Sequence, residues 1–220
     1  MQGKCPRLRV LYLHYHIHPA LLGGGERSLL YLLKALDKTM FEPIVGIPTD
    51  KGLFYEELSR LGVRLRIIPF IGLHRTKAPF QLLSFVLGYI GAVVKLTRLI
   101  KEEKVDLIHA NSIMTQLYGG VAAFFTGVPA IFHVRNIIRL DLFGRFILRF
   151  SGKLARMVVA NSKATKQMLL KAGIENSKCT VIYNAVDLYE YDALAKGRIR
   201  GELGIKEGIP IIGIVGAIEP

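Results

Sequence analysis

Short apolar runs and longer stretches of helical spacing alternate along this chain from residue 8 to residue 182, and few folds accommodate that order. The strand-like runs fall at 8–14, 43–47, 64–68, 107–110, 130–133, 157–160 and 180–182. Helical patterns occupy 26–36, 54–61, 80–103, 114–125, a basic segment within 140–156, and 163–172. Strand and helix in strict alternation make βαβ units, whose strands lie parallel. Several runs are nearly continuous in Val, Ile and Leu, as strands covered on both faces must be. Gly62, Gly127 and Gly173 each follow a helical pattern, where a C-cap glycine belongs. Right-handed crossovers then predict an α/β fold: a doubly wound, mainly parallel sheet with helices on both faces.

Composition narrows the function classes. A hydrophobic share of 51% excludes a disordered chain. Thirty Lys and Arg against seventeen Asp and Glu leave a net charge of +13. Yet there is no zinc knuckle, RNA-binding aromatic signature, basic arm or tryptophan, so nucleic acid is not the expected partner. Cys5 and Cys179 make neither a disulfide framework nor a metal-ligand spacing, which fits a reducing, cytoplasmic compartment. The polar start and the short apolar run at 8–13 do not read as a signal peptide. The uncharged run 78–94 reaches only the lower edge of a membrane span and contains Gln81, Ser84, Gly88 and Gly91, so it reads as a buried or membrane-resting helix.

After Asp187 the pattern changes. Residues 189–204 are charged and loosely helical, and Pro210 introduces a new apolar run, 211–215, that ends in Gly216. The expected organisation is one α/β domain over 1–205 and, over 206–220, the first strand and glycine turn of a second.

Ligands of open α/β sheets bind outside the carboxyl ends of the strands. Several of the expected strands deliver polar residues there: His14 and His16, then Gly23-Gly24-Gly25-Glu26; His109 and Asn111; His133, Arg135 and Asn136; Asn161-Ser162; and Asn184. The triple glycine precedes a helix, where a close backbone approach and free N–H groups suit an anion, although a plain turn has the same composition. It lacks the further glycine of a dinucleotide fingerprint and the Lys-Ser/Thr of a Walker loop. Glu26 reads equally as a first-turn acid. Asn161 or Ser162 reads first as a helix cap.

His133 is the leading candidate. A neutral imidazole at a strand end can hydrogen-bond a sugar hydroxyl or stabilise developing charge; the alternative is a buried, satisfied histidine. His109 has the same two readings. His14, His16 and His18 alternate, but with no carboxylate nearby in sequence they do not predict a metal site. Arg145, Arg149, Lys153 and Arg156 share one arc at ~100° per residue. Leu140, Phe143, Phe146, Ile147, Phe150 and Leu154 are placed opposite them. That pattern suits an anionic membrane surface, and equally a solvated helix face.

Taken in order, these motifs resemble the N-terminal domain of family-4 retaining glycosyltransferases of the GT-B fold, in which two Rossmann-like domains face each other across a cleft. The resemblance rests on Gly23-Gly24-Gly25-Glu26-Arg27-Ser28-Leu29-Leu30, Asp106-Leu107-Ile108-His109-Ala110-Asn111, Phe132-His133 and Val159-Ala160-Asn161-Ser162. It also rests on Val181-Ile182-Tyr183-Asn184-Ala185-Val186-Asp187 and on Ile214-Val215-Gly216-Ala217-Ile218-Glu219-Pro220. Two positions depart from the family pattern: a small non-glycine residue is usual at Gly25, and a glycine at Ala185.

The resemblance implies sugar transfer from a UDP- or GDP-sugar, with retention of configuration and neither metal nor cofactor, to a glycan or lipid-linked acceptor. It implies that His133 reaches the transferred sugar and that Gly23, Gly24 and Gly25 lie near the donor diphosphate. Glu26, His109, Asn111, Arg135 and Asn184 would face the acceptor, and Gly216 and Glu219 would open the donor domain. It also gives the basic helix a purpose, at the inner face of a membrane. Two other readings stay open: a related GT-B enzyme such as a sugar-nucleotide epimerase, and a non-catalytic membrane-surface or glycan-binding module.

Overall fold

The computed structural model describes residues 7–16, 20–72, 79–138, 140–188, 198–206 and 208–213. Among the described residues seven strands are formed: β1 (Leu8–Leu13), β2 (Phe41–Ile47), β3 (Arg64–Ile67), β4 (Leu107–Ala110), β5 (Ala130–Val134), β6 (Met157–Ala160) and β7 (Cys179–Val181). All pairings are parallel, in the order β3-β2-β1-β4-β5-β6-β7. The crossovers are α1 (Gly24–Ala35), α2 (Leu53–Arg60), α3 (Pro79–Glu102), α4 (Ile113–Thr126), α5 (Leu142–Leu154) and α6 (Lys163–Lys171). The expected α/β doubly wound fold is the observed one.

The period-2 alternation of β1 divides the core. Val10 and Tyr12 point to one face, where Leu29 and Leu33 of α1 and Phe54 and Leu58 of α2 cover them. Leu11 and Leu13 point to the other, beneath α3, α4, α5 and α6. The chain reverses its direction across the sheet between β3 and β4, so β1 and β4 flank the topological switch point. Gly62, Gly127 and Gly173 adopt positive φ after their helices. Among the described residues Lys104 is the one non-glycine with positive φ, so Ala185 needs no glycine-like backbone.

Helix α3 is long and apolar enough over Leu83–Glu102 to cross a membrane. Its second half is nevertheless core: Ala92, Val93, Leu96, Leu99 and Ile100 are buried against α4 and the sheet. Its first half presents Phe80, Leu83, Leu87 and Ile90 to the outside.

Helix α5 corrects the expected amphipathic pattern. It buries Gly144, Leu148, Ser151 and Gly152, so the Phe143, Phe146 and Phe150 stripe lies exposed beside Arg145, Arg149 and Lys153 rather than opposite them. Close packing selects the small residues: a Cβ on Gly152 would stand 2.9 Å from Ile174 Cγ1. Arg156 is not on this helix. Leu154 is its last residue, and the Arg156 backbone N–H donates to the Ala130 carbonyl at 2.8 Å on the way into β6.

The chain divides into two compact units, Met1–Ala185 and Val186–Pro220. The second contains a short helix, α7 (Arg198–Glu202). The expected strand at 211–215 is not formed over its described part, 211–213, where Ile212 is 96% exposed. A strand needs a neighbour for its backbone groups, and among the described residues none pairs with it. Gly216 and Glu219 lie outside the described residues.

Candidate functional site

Because all seven strands run the same way, their carboxyl ends share one edge, and the chain places a polar cluster there. The first component is the start of α1. The sequence suggested a glycine loop over 23–25 ahead of a helix at Glu26; the helix in fact begins at Gly24, with Gly23 as its N-cap. Gly24 and Gly25 therefore form the first turn, whose backbone N–H groups have no intrahelical partners. Gly25 passes close to the site, since a Cβ there would stand 3.3 Å from His14 Cε1.

Glu26 turns inward from this first turn. Its Oε1 lies 2.9 Å from His14 Nε2, and both side chains are largely buried. Burial works to raise the Glu26 pKa, but the hydrogen bond and charge of His14 outweigh it and hold the carboxyl below its ordinary value. Glu26 is thus an ionised group at the sheet edge.

Arg135, just past β5, is the hub. Its Nη1 donates to Ser28 Oγ and to Asn184 Oδ1, each at 2.6 Å. Its Nη2 donates to Asn111 Oδ1 at 3.3 Å and to His133 Nδ1 at 3.2 Å. Asn161 Nδ2 supports it from behind, donating to the Arg135 carbonyl at 2.8 Å. One guanidinium therefore ties together α1 and the ends of β4, β5 and β7. Burial lowers its pKa to about 10, with the Glu26 charge working in the opposite sense, so it stays cationic at neutral pH.

His133 and His109 sit inside β5 and β4. Burial, then Arg135 and His109, push His133 down to about 3; burial and Arg135 push His109 down to about 4. Both rings are neutral at physiological pH. Their Nε2 atoms are buried and have no hydrogen-bond partner among the described residues. The His133 carbonyl is held separately by Gln116 Nε2 at 3.2 Å.

The edge thus gathers Glu26, His109, Asn111, His133, Arg135 and Asn184, with Gly23, Gly24 and Gly25 beside them. The basic residues of α5 and Arg156 belong elsewhere. Ser162 is a cap, accepting from the Thr165 backbone N–H at 3.0 Å. Two contacts are not legible in the sequence. His14 is expected at this edge, but its pairing with Glu26 is not, because nothing local links it to a carboxylate twelve residues later. Ser28 follows Glu26 and Arg27 in the polar start of α1, so no break in the pattern marks it. Among the described residues, no group of three or more His, Cys, Asp and Glu could hold a metal ion.

The chain is 26% identical over 140 residues to the Escherichia coli UDP-Gal:alpha-D-GlcNAc-diphosphoundecaprenol alpha-1,3-galactosyltransferase, covering 59% of this chain and 36% of that protein. It is 27% identical over 161 residues to a Chlorobium luteolum pyrophosphoryl-undecaprenol N-acetylglucosamine transferase, covering 69% of this chain and 43% of that protein. The chain thus spans less than half the length of these relatives. Among solved structures it is similar to Anabaena HepE in complex with UDP, with a TM-score of 0.67 and 25% identity over 90% of this chain and 50% of that one. The family model described as Glycosyltransferase Family 4 matches residues 22–190, well over half of the 220, and the chain belongs to that family.

Proposed function

We propose that this chain is the acceptor-side part of an enzyme that transfers a sugar from a UDP- or GDP-sugar to a glycan or lipid-linked acceptor, with retention of configuration. The observation that carries the reading is the carboxyl-end edge of the sheet, where a neutral His133, whose Nε2 has no partner among the described residues, is joined through Arg135 to Ser28 of α1. In transfer, the bond from the anomeric carbon to the diphosphate breaks and its electron pair leaves with the phosphate. The acceptor oxygen forms the new bond and its proton passes to the leaving group. The α1 N-terminus suits the growing phosphate charge. His133 would donate to the transferred sugar, and Glu26 would accept from an acceptor hydroxyl. None of these roles uses a metal ion. The names of the relatives, with UDP-Gal and undecaprenyl-linked substrates, support this donor and acceptor class.

The reading includes a working position on an anionic, cytoplasmic membrane face. On the side of the sheet covered by α3, α4 and α5, Phe80, Leu87, Leu142 and Phe146 are more than half exposed. A groove of about 600 Å3 between α3 and α4 adds Ile90, Val94 and Phe125, with Arg98 and Lys101 also lining it. Apolar side chains beside Arg145, Arg149 and Lys153, in a chain of net charge +13, complement an anionic bilayer better than water or an acidic protein.

The test is His133→Ala in the full-length protein, assayed for product from UDP- and GDP-sugars on lipid-linked acceptors. Losing one positioned transition-state contact should lower kcat by about 10²–10³. Equal kcat for variant and parent would reject the assignment. Turnover of nucleotide sugar without any acceptor would instead favour an epimerase.

A further inference from the structure

We propose that Arg135 is a positioning residue: by donating from Nη2 to His133 Nδ1, it holds the imidazole as the Nε2–H tautomer and makes His133 a fixed hydrogen-bond donor toward the bound sugar. The inference rests on the reading of His133 given above, and it deepens that reading.

The argument starts from the donor inventory. A guanidinium has only donors, so the 3.2 Å contact requires His133 Nδ1 to accept. A neutral ring has one proton, which must then reside on Nε2. A doubly protonated ring would set an N–H against a cationic N–H. Nε2 is buried and finds no acceptor among the described residues, so the fixed proton is directed at something outside this set.

Arg135 cannot easily turn away. Its Nη1 is held by Ser28 and Asn184 at 2.6 Å, and its Nη2 is shared with Asn111 at 3.3 Å. With its Nη1 and Nη2 donors committed within the chain, Arg135 is fixed beside His133, while its buried Nε has no hydrogen-bond partner among the described residues. The charged and titratable groups facing the ring are Arg135 beyond β5 and His109 on β4. Glu26 of α1 acts on Arg135. The His109 ring lies parallel to His133, with planes 2° and centroids 5.7 Å apart.

Imidazole nitrogen NMR on the 15N-labelled 220-residue chain reads the tautomer directly and needs no substrate. His133 should show Nε2–H in at least ~10-fold excess, a ratio that one charge-assisted hydrogen bond supports. It should remain uncharged from pH 8 to pH 5. In Arg135→Leu the excess should collapse and the ring should take up its second proton at a higher pH than in the parent, while the His14 signals stay unchanged. Arg135→Lys, which keeps a cationic donor, should restore Nε2–H. A parent ring protonated on Nδ1, or an Arg135→Leu ring indistinguishable from the parent, would overturn the proposal. Should the Leu variant not fold, the parent and Lys spectra still decide. Loss of the tautomer preference would leave glycosyl transfer standing, whereas an unchanged kcat in His133→Ala would remove the catalytic role but not the tautomer lock.

Discussion

The imidazoles of His109 and His133 lie parallel on neighbouring strands, with centroids 5.7 Å apart and planes 2° from parallel. Two neutral rings so placed are poor candidates for proton relay at pH 7, because charging either one opposes burial and the Arg135 cation. They are better suited to present a pair of fixed hydrogen-bonding edges to a polar ligand. The same burial makes the fold sensitive to acid.

Unfolded histidine titrates near 6.5, whereas the native rings titrate at about 4 and about 3. Between pH 6.5 and about 4 the unfolded chain binds protons that the native chain does not, so stability falls as pH is lowered through that window. The limiting slope is about 1.4 kcal/mol per pH unit for each ring. His16, lowered by burial and then by His14, adds in the same direction. Urea unfolding from pH 7 to pH 4.5 should show this loss, and His109→Gln with His133→Gln should flatten it. A parent whose stability is constant over that range would contradict the burial argument.

Adjacent glycines at the start of α1 should respond in opposite ways. A Cβ on Gly24 meets nothing within 4 Å, so Gly24→Ala should stabilise the chain by up to about 1 kcal/mol through reduced backbone freedom. A Cβ on Gly23 would stand 2.7 Å from Glu26 Oε2. Gly23→Ala should therefore push the carboxylate off His14 and destabilise by about 1 kcal/mol. Thermal unfolding of the two variants gives the comparison, and stabilisation by both would show that the Glu26–His14 pair is unimportant.

Tyr118 pins the chain beyond β3. Its hydroxyl accepts from the Ile71 N–H at 3.0 Å and donates to the Ile71 carbonyl at 2.9 Å, from a ring that is fully buried. Tyr118→Phe removes both bonds without changing the ring, and should destabilise by about 1–3 kcal/mol. Denaturant midpoints check this; a change below a few tenths of a kcal/mol would mean that water replaces the hydroxyl at no loss.

Vesicle co-sedimentation separates the basic residues by position. Arg145→Gln, Arg149→Gln and Lys153→Gln together should weaken binding to anionic vesicles by about 1 kcal/mol per charge. Arg156→Gln should have little effect, because Arg156 lies off the helix and leads into β6. Leu83→Gln, Leu87→Gln and Ile90→Gln together should weaken binding to neutral vesicles as well, since these side chains supply apolar area. Binding that tracks only total charge would return α5 to the role of a solvated face.

The strand positions were readable in the sequence to within two residues, and so was their parallel pairing, because apolar runs, their spacing and the glycines after each helix are local properties. Parallel strands with covered faces then placed His109, His133 and Asn184 at one edge without further information. The strand expected at 211–215 was the exception over its described part, 211–213: local pattern states a preference, but a strand requires a partner.

By itself, then, the sequence determined the alternation of elements, the sheet edge that carries the polar residues and the family to which they point. Only the tertiary structure decided how those residues are joined. Arg135 meets Ser28 across 107 positions and Asn184 across 49, and no local pattern encodes which acceptor a guanidinium will choose. Nor does a helical projection tell that α5 buries Gly144, Ser151 and Gly152 while leaving its phenylalanines outside. The projection ranks residues by hydrophobicity, whereas close packing of Gly152 against Ile174 selects by size.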